Sequence, residues 1–182
     1  MTLKMDGENT TMYRDRVHAR SLDSGPHESR WWVRDLQARI GDGIPEGWRV
    51  CGENMYAKHT IHYNALQSYF LAYSVWDDGN ICLGWDETLE WLMLLGIVPV
   101  PVLYEGVWDE GAVRAAFPKT HRGDPCEGFV VRLREAFCYS RFTSSVAKYV
   151  DPKFRRQMEQ DEATAGSKPW YLRAVVPNRL EK

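Results

Sequence analysis

The sequence predicts an α+β fold in which short strands dominate and helices are interleaved irregularly. Turn signals divide the chain into many short apolar segments, whereas few segments show the spacing of apolar residues that is typical of a helix. Strands and helices do not alternate regularly, so the pattern favours α+β over a parallel βαβ array. Hydrophobic residues make up 44% of the 182 residues and aromatic residues 13%, which is enough to form a core in one domain.

Strands are expected beside tight turns. A hairpin is predicted at residues 9–20, where Arg14–Asp15 forms the turn. A second strand pair is predicted where a D-D-G-N turn joins Ser68–Trp76 to Ile81–Leu83. The residues before Gly7 are expected to be extended or loop-like. Further extended segments are predicted at Trp48–Tyr56, Val98–Tyr104, Gly128–Leu133, Ala136–Phe142 and Val146–Val150.

Helices are expected where apolar residues recur every three or four positions. Glu28–Ile40 has this spacing and is followed by Gly41, which favours a helix end. Asp86 is expected to cap a helix that continues through Leu95. Shorter helices are predicted at Asp109–Phe117 and Pro152–Asp161, and the tail from Ala163 is expected to be irregular and pinned by Trp170 and Tyr171.

The charge balance limits how the protein can contact other molecules. Net charge is −2 at pH 7, and the isoelectric point is near 6.2. A basic field over the whole surface is therefore excluded, and a nucleic-acid contact has to come from a local basic surface.

Cysteine spacing and hydropathy indicate a cytoplasmic protein without a membrane contact. The four cysteines, at 51, 82, 126 and 138, form no C-x-x-C pair, so reduced thiols are favoured over a zinc site or disulfides. The first residues lack the apolar core of a signal peptide. The longest apolar stretch, Leu92–Leu103, contains two prolines and is too short to span a bilayer.

A lysine near the start of the chain is the first candidate for chemistry. Lys4 is followed by Asp6 and Gly7 in a K-x-D-G pattern. A lysine amine becomes a covalent nucleophile when desolvation or a nearby cation lowers its pKa. A glycine beside it lets a phosphate-bearing ligand approach the backbone. Taken alone, this short pattern is better explained by a surface turn near a chain end, so further residues are needed.

Those further residues lie at predicted strand ends. Glu53 follows a glycine, Glu127 precedes one, Asp77 follows Trp76, and Lys148 lies in the last predicted strand. An ATP site needs a lysine that attacks the α-phosphate, a carboxylate for the ribose and an aromatic face for the base. It also needs a carboxylate for Mg²⁺ and a cation that offsets phosphoryl charge. The set has one candidate for each requirement.

Six segments, taken in order, resemble the nucleotidyltransferase motifs of RNA ligases in the double-strand-repair branch, within the superfamily of ATP-dependent ligases and capping enzymes. They are KMDGEN, HARS, CGENMYAKHTIHY, YFLAYSVWD, EGFVVR and SSVAKYV. The closing WYLRAVVPNRL is also similar. The resemblance implies an adenylyltransferase domain at 1–150 with antiparallel sheets around a nucleotide cleft. A C-terminal helix and tail at 151–182 would follow, without a separate OB domain.

The resemblance also implies a role for each candidate residue. Lys4 would form a lysyl–AMP phosphoramide, and Lys148 would contact the α-phosphate. Glu127 would act through Mg²⁺, and Glu53 would contact the ribose. The remaining nucleotide-site residues would be Asp6, Gly7, Arg20 at a phosphate or an RNA end, Trp76 stacked on adenine, and Asp77 beside it.

The implied reaction is ATP-dependent sealing of RNA, which joins a 5′-phosphate to a 3′-hydroxyl with ATP and Mg²⁺. RNA ends or nicked duplex RNA would be the substrates. A DNA ligase or a capping-type nucleotidyltransferase is an alternative enzyme, although the extended CGENMYAKHTIHY segment favours RNA ligase. A nucleotide- or RNA-binding remnant without ligase activity is the alternative from another class. His59 and His62 are not expected to bind a metal, because no third ligand lies nearby.

Three features depart from the family pattern. Only three residues precede Lys4, so the leading strand is expected to be missing and the lysine to be poorly held. Val150 stands where many relatives have a second lysine, which Lys153 or Arg155 would replace. Residues 151–182 are too few for an OB-fold domain, so a protein partner is expected to supply RNA clamping.

Overall fold

The computed structural model describes residues 1–22, 25–164 and 174–182 of the chain. Strands in these residues are β1 Thr2–Lys4, β2 Glu8–Met12, β3 Val17–Ala19, β4 Arg49–Asn54, β5 Phe70–Trp76, β6 Ile81–Cys82, β7 Val98–Pro99, β8 Thr120–His121, β9 Asp124–Pro125, β10 Gly128–Arg132, β11 Phe137–Cys138 and β12 Val146–Val150. Helices are α1 Trp31–Ile40, α2 Trp85–Leu94, α3 Glu110–Ala116, α4 Phe142–Ser145 and α5 Pro152–Thr164.

Two sheets form the framework. The large sheet has seven strands, six of them in the order β11-β6-β5-β4-β2-β3, and β7 pairs with β5 in parallel. The small sheet has the order β1-β10-β12, and both of its pairings are antiparallel. Strands β8 and β9 form a separate hairpin. The mixed composition and the antiparallel sheets agree with the α+β class that the sequence predicts.

Helices α1 and α2 cover one face of the large sheet. Met12, Val50 and Phe70 are fully buried on that face, in one core cluster with Val33 of α1 and Leu92 of α2. Because side chains alternate along a strand, the other residues of β2 and β4 point to the opposite face. We call the space between that opposite face and the small sheet the cleft.

Strand β1 is held on both sides. Lys4 lies opposite Gly128 in the antiparallel pairing with β10. On the other side, a backbone N–H of β1 donates to the Pro101 carbonyl at 2.8 Å. The Met1 amino group donates to the Tyr104 carbonyl at 2.6 Å. The expectation of a poorly held lysine does not fit this arrangement, because hydrogen bonds to two separate segments fix the strand.

Most of the predicted local elements are present. Strands β2 and β3 form the hairpin whose turn contains Arg14–Asp15, and β5 is followed by its partner β6. Asp109 caps α3 by accepting a hydrogen bond from the Ala112 N–H at 2.7 Å. Asp86 does not cap α2 as expected, because the helix begins at Trp85, one residue before Asp86. Its carboxylate pairs instead with Arg134 at 2.7 Å.

The segment Ala136–Phe142 differs from its prediction. Only Phe137–Cys138 is a strand, and a 3-10 turn at Tyr139–Arg141 leads directly into α4. The rings of Phe137, Tyr139 and Phe142 all lie against Trp76. In a straight strand Phe137 and Tyr139 would share a face, but Phe142 would point to the other face, so the chain has to turn to bring all three rings to one partner.

Residues 174–182 pack back on the segment that follows β4, residues 55–66, which we call the long loop. Asn178 is only 2% exposed. Its side-chain oxygen accepts a hydrogen bond from the Tyr63 N–H at 2.9 Å, and its side-chain nitrogen donates to the Met55 carbonyl at 2.7 Å. The tail is thus pinned by a buried asparagine.

Trp170 and Tyr171, which the sequence analysis expects to pin the tail, lie outside the described residues. Within the described ranges, no helix is both long enough and apolar enough to cross a membrane.

Candidate active site

The centre of the cleft is an ion pair between Lys4 and Glu127. Lys4 ends β1, and its register opposite Gly128 brings the Lys4 Nζ to Glu127 Oε1. Glu127 is 5% exposed, and its second oxygen, Oε2, is buried without a hydrogen-bond partner among the described residues. Burial raises the pKa of Glu127, while the charges of Lys4 and Lys148 oppose the increase. An unpaired buried carboxylate oxygen is poised to accept a cation or a donor from a ligand.

Glu53 completes the acidic side of the centre. It lies on β4 with its side chain toward the cleft. Burial raises the pKa of Glu53 to about 8, and the nearby carboxylates of Glu127 and Asp6 add to the increase. The charge of Lys4 and a hydrogen bond from the Gly7 backbone act in the opposite direction. A carboxyl group with such a pKa lacks a full cationic partner and is typical of a functional site.

Two glycines allow this close approach. A Cβ on Gly7 would lie 2.6 Å from the Asn54 carbonyl oxygen and 2.9 Å from the Glu53 Cγ. A Cβ on Gly128 would overlap the Tyr149 carbonyl oxygen on the neighbouring strand β12. Both glycines are therefore required by packing, and each lies beside a residue of the ion-pair centre.

Asp6 lies beside the centre, but its carboxylate accepts hydrogen bonds from backbone N–H groups. Its Oδ2 accepts hydrogen bonds from the N–H groups of Thr60 at 2.8 Å and Ile61 at 2.7 Å. Its own N–H donates to the Tyr63 hydroxyl at 3.0 Å. Asp6 therefore anchors the long loop to the segment between β1 and β2. Only its second carboxylate oxygen, Oδ1, is left to face a ligand.

Lys148 shares the cleft face with Lys4. Lys148 lies opposite Val130, and Lys4 lies opposite Gly128. Because Gly128 and Val130 are two residues apart on one strand, the two lysines project from the same side of the small sheet. Lys148 is exposed and lies close enough to Glu127 to lower the pKa of that carboxyl.

Arg20 lies at the rim of the cleft. It follows β3 and is exposed. Burial raises the pKa of Tyr73, and the charge of Arg20 opposes the increase, which places the two side chains near each other. Arg20 is therefore available to an anion at the edge of the cleft, whereas no described contact ties it to the Lys4 centre.

Trp76 and Asp77 are placed differently from their expected roles. Trp76 is 4% exposed and is surrounded by aromatic rings, with the guanidinium of Arg49 over its face at 4.7 Å. No ring face is left open for adenine. Asp77 accepts a hydrogen bond from the Ile81 N–H at 2.7 Å and so closes the turn between β5 and β6. Both residues contribute to local structure.

Tyr73 is an aromatic residue near Glu53 that the sequence did not single out for the site. The pairing of β4 with β5 shifts by one residue at Cys51/Gly52, and the extra residue on β5 is Tyr73. The Asn9 amide donates to the Tyr73 hydroxyl, and the charge of Glu53 raises the pKa of Tyr73. A β-bulge re-aims a side chain, and Gly52 marks the position of this bulge without specifying its direction.

The residues present fit a magnesium ion that arrives with a nucleotide. Among the described residues, no group of three or more His, Cys, Asp or Glu side chains could hold a metal ion unaided. Mg²⁺ commonly takes one or two carboxylates and completes its shell with phosphate oxygens and water. The unpaired Oε2 of Glu127 fits that requirement. His62, whose Nε2 lies 3.1 Å from the Pro177 carbonyl, faces the tail.

The fold and the centre together define a class of protein: an α+β protein whose antiparallel sheets bring two lysines and two glutamates into one cleft. Such a centre is suited to holding phosphate and to covalent chemistry on a lysine.

A family model described as RNA ligase matches residues 1–150 of the 182. The chain belongs to the RNA ligase family. It is accordingly a ligase, with RNA as its class of substrate. The matched region contains both sheets and ends with β12. Neither the curated proteins nor the solved structures include a match to the chain.

Proposed function

We propose that the protein is an ATP-dependent RNA ligase that forms lysyl–AMP on Lys4 and seals a 5′-phosphate to a 3′-hydroxyl. The observation that carries the proposal is the ion pair between Lys4 and Glu127, which places the amine beside a buried carboxylate. Glu53 and Lys148 lie near the same pair. A lysine with a purely structural role would not need three further ionisable groups around it.

In the first step, the Lys4 Nζ attacks the α-phosphorus of ATP. A phosphorus–nitrogen bond forms, the bond to the bridging oxygen breaks, and pyrophosphate leaves. The amine loses a proton, which Glu53 can accept only above its pKa of about 8, where that carboxyl is ionised. Lys148 faces the cleft beside Lys4, where it offsets the negative charge on the α-phosphate.

Glu127 is the residue that would hold Mg²⁺, together with the phosphates of the nucleotide. The ion would supply positive charge at the phosphates and, by competing for Glu127, would favour the neutral amine of Lys4. The unpaired Oε2 of Glu127 supports this role.

The base of the nucleotide would stack on Tyr73. This assignment moves the role from Trp76 to the aromatic residue that β5 turns toward Glu53. Glu53 would then lie near the ribose, between the base and the phosphates. Arg20, at the rim beside Tyr73, would contact phosphate of the nucleotide or of the RNA end.

The second and third steps use the same centre. The RNA 5′-phosphate attacks the phosphorus of lysyl–AMP, the phosphorus–nitrogen bond breaks, and Lys4 regains its proton. The RNA 3′-hydroxyl then attacks the activated 5′-phosphate, and AMP leaves as a phosphodiester forms. Lys148 is placed to offset phosphoryl charge in each step.

The test is transfer of label from α-labelled ATP to the protein in the presence of Mg²⁺, read on the denatured chain. Wild type is expected to become labelled, and Lys4→Ala is expected to lose the label completely because no other side chain occupies the end of β1. Lys58→Ala, at an exposed position on the long loop, is the matched control and is expected to label normally. ATP binding without label on wild type would refute the proposal in favour of a binding protein.

A further inference from the structure

A cluster of aromatic rings lies at one end of the cleft, and we call it the aromatic platform. It consists of Trp76, Tyr139 and Phe142. The ring centroids of Tyr139 and Phe142 lie 5.8 Å and 6.3 Å from that of Trp76, and they lie 6.1 Å from each other with planes tilted by 31°. Trp76 is the buried base of the platform, and the other two rings form its outer surface.

The outer rings are far more exposed than packing alone would require. Tyr139 is 59% exposed and Phe142 is 41% exposed. The 3-10 turn at Tyr139–Arg141 and the start of α4 hold both rings in place. Adjacent exposed aromatic rings on an ordered segment are typical of a surface that binds something.

Arginines flank the rings. The Arg49 guanidinium lies over Trp76 at 4.7 Å, and its side chain donates to the Asn80 side chain. Arg141 is exposed at the end of the 3-10 turn. Across the described part of the chain, neither arginine forms an ion pair with a carboxylate. Aromatic faces with unpaired cations beside them fit the stacked bases and the phosphates of single-stranded nucleic acid.

The platform is continuous with the cleft. Arg49 and Glu53 lie on the same face of β4, four residues apart, which corresponds to about 13 Å along a strand. On the opposite side of the cleft, α4 runs from Phe142 directly into β12, which contains Lys148. A distance of about 13 Å equals three to four stacked bases at about 3.4 Å each.

We propose that the aromatic platform binds bases of a single-stranded RNA segment, three to four nucleotides from the end being joined. The outer rings of Tyr139 and Phe142 stack on the bases, and Arg49 and Arg141 contact the phosphates between them. This inference rests on the proposed function for the location of the RNA end. It adds a site for RNA that lies outside the nucleotide centre and explains how RNA is held by a protein of net charge −2.

The test measures RNA binding and lysine labelling separately. Binding of a fluorescent, 5′-phosphorylated single strand of about ten nucleotides, a length within the usual site sizes, is followed by anisotropy. In the double variant Tyr139→Ala/Phe142→Ala the Kd is expected to rise at least fivefold, because each stacked base is worth a factor of that order. Tyr139→Phe is expected to bind like wild type. Trp108→Ala removes a ring that is 61% exposed elsewhere and is the matched control.

Two comparisons keep the outcome decisive. A strand of about two nucleotides is too short to reach the platform at the stacking distance used above, so wild type and the double variant are expected to bind it equally. Label from α-labelled ATP on Lys4 is expected to be unchanged in the double variant, which also shows that the variant is folded. An unchanged Kd for the longer RNA in the double variant would overturn the platform proposal. That result would favour a protein as the partner that binds the exposed rings. Absence of label on wild type would overturn the proposed function alone.

Discussion

The small sheet supplies both lysines of the cleft and, directly before β10, Glu127, whereas the large sheet supplies Glu53. The small sheet contributes the two lysines, Lys4 and Lys148, from strands on either side of β10. The large sheet contributes Glu53, whose pKa is near 8 because its one cationic neighbour does not offset burial. The charges in the cleft are therefore not balanced by the protein alone. A ligand that brings both phosphate and a divalent cation would satisfy both sheets at once.

The two sides also differ in how their backbones are held. The small sheet depends on direct strand pairing through Gly128, which lies between Lys4 and Val150. Glu53 lies on β4 of the large sheet, and the long loop that follows β4 is held by remote side chains. Asp6 binds it from the segment between β1 and β2, and Asn178 binds it from the tail. The small sheet should therefore be destabilised by substitutions within its own strands. The long loop should be destabilised by substitutions far away in the sequence.

The largest effect is expected for Gly128→Ala. A Cβ at this position would overlap the Tyr149 carbonyl oxygen, so β10 and β12 would have to separate. We expect the free energy of unfolding to fall by about 4 kcal/mol and labelling of Lys4 to be lost. Urea unfolding followed by circular dichroism measures the loss. Gly25→Ala, where no atom lies within 4 Å of the added Cβ, is the control and should be close to wild type.

Asn178→Ala tests the dependence on the tail. The change leaves the Tyr63 N–H and the Met55 carbonyl buried without partners, and such groups cost about 1–3 kcal/mol each. We expect a loss of about 3 kcal/mol in unfolding free energy and a higher KM for ATP in the labelling reaction. Arg179→Ala changes an exposed neighbour and should leave both quantities unchanged. Equal KM values for the two variants would show that the long loop does not shape the nucleotide site.

The smallest effect is expected for Glu53→Gln, and it appears as a change in pH dependence. The pKa of Glu53 is raised in the folded protein to about 8, so the folded state binds more protons than the unfolded state between pH 4.5 and 8. Stability from this group is therefore present at low pH and is lost as pH rises through that window. We expect wild type to lose about 2.5 kcal/mol more than Glu53→Gln between pH 5 and pH 7. Urea unfolding of nucleotide-free protein at both pH values tests this, and parallel losses would contradict it.

Local elements of the fold could be predicted from the sequence because their signals are local. The hairpin around Arg14–Asp15 and the helix that ends before Gly41 follow from turn chemistry and apolar spacing. The pairing of Lys4 with Gly128 joins residues that are distant in the sequence, and no local pattern specifies it. The segment Ala136–Phe142 was predicted as one strand, since its apolar residues do not reveal that three rings converge on one tryptophan.

The residues of the site divide in the same way, into those with a signal in the sequence and those set by distant packing. The resemblance selected Lys4, Glu53 and Glu127, and the structure brings these three together, while their roles in the reaction stay predictions. Trp76 was a natural choice for the base because it ends the same strand as Tyr73. One extra residue in the pairing of β4 with β5 turns Tyr73 toward Glu53, and on that basis we propose Tyr73 for the base. A register shift of this kind follows from close packing around Gly52, which a single sequence does not display.

The hydrogen bond from Tyr63 to Asn178 spans 115 residues, and this span sets an order of events during synthesis. The region that matches the family model, residues 1–150, is synthesised before Asn178. Until then the Met55 carbonyl and the Tyr63 N–H have no partner from the tail. The long loop therefore closes late, and a chain still being translated would contain Lys4 and both glutamates before the tail holds that loop.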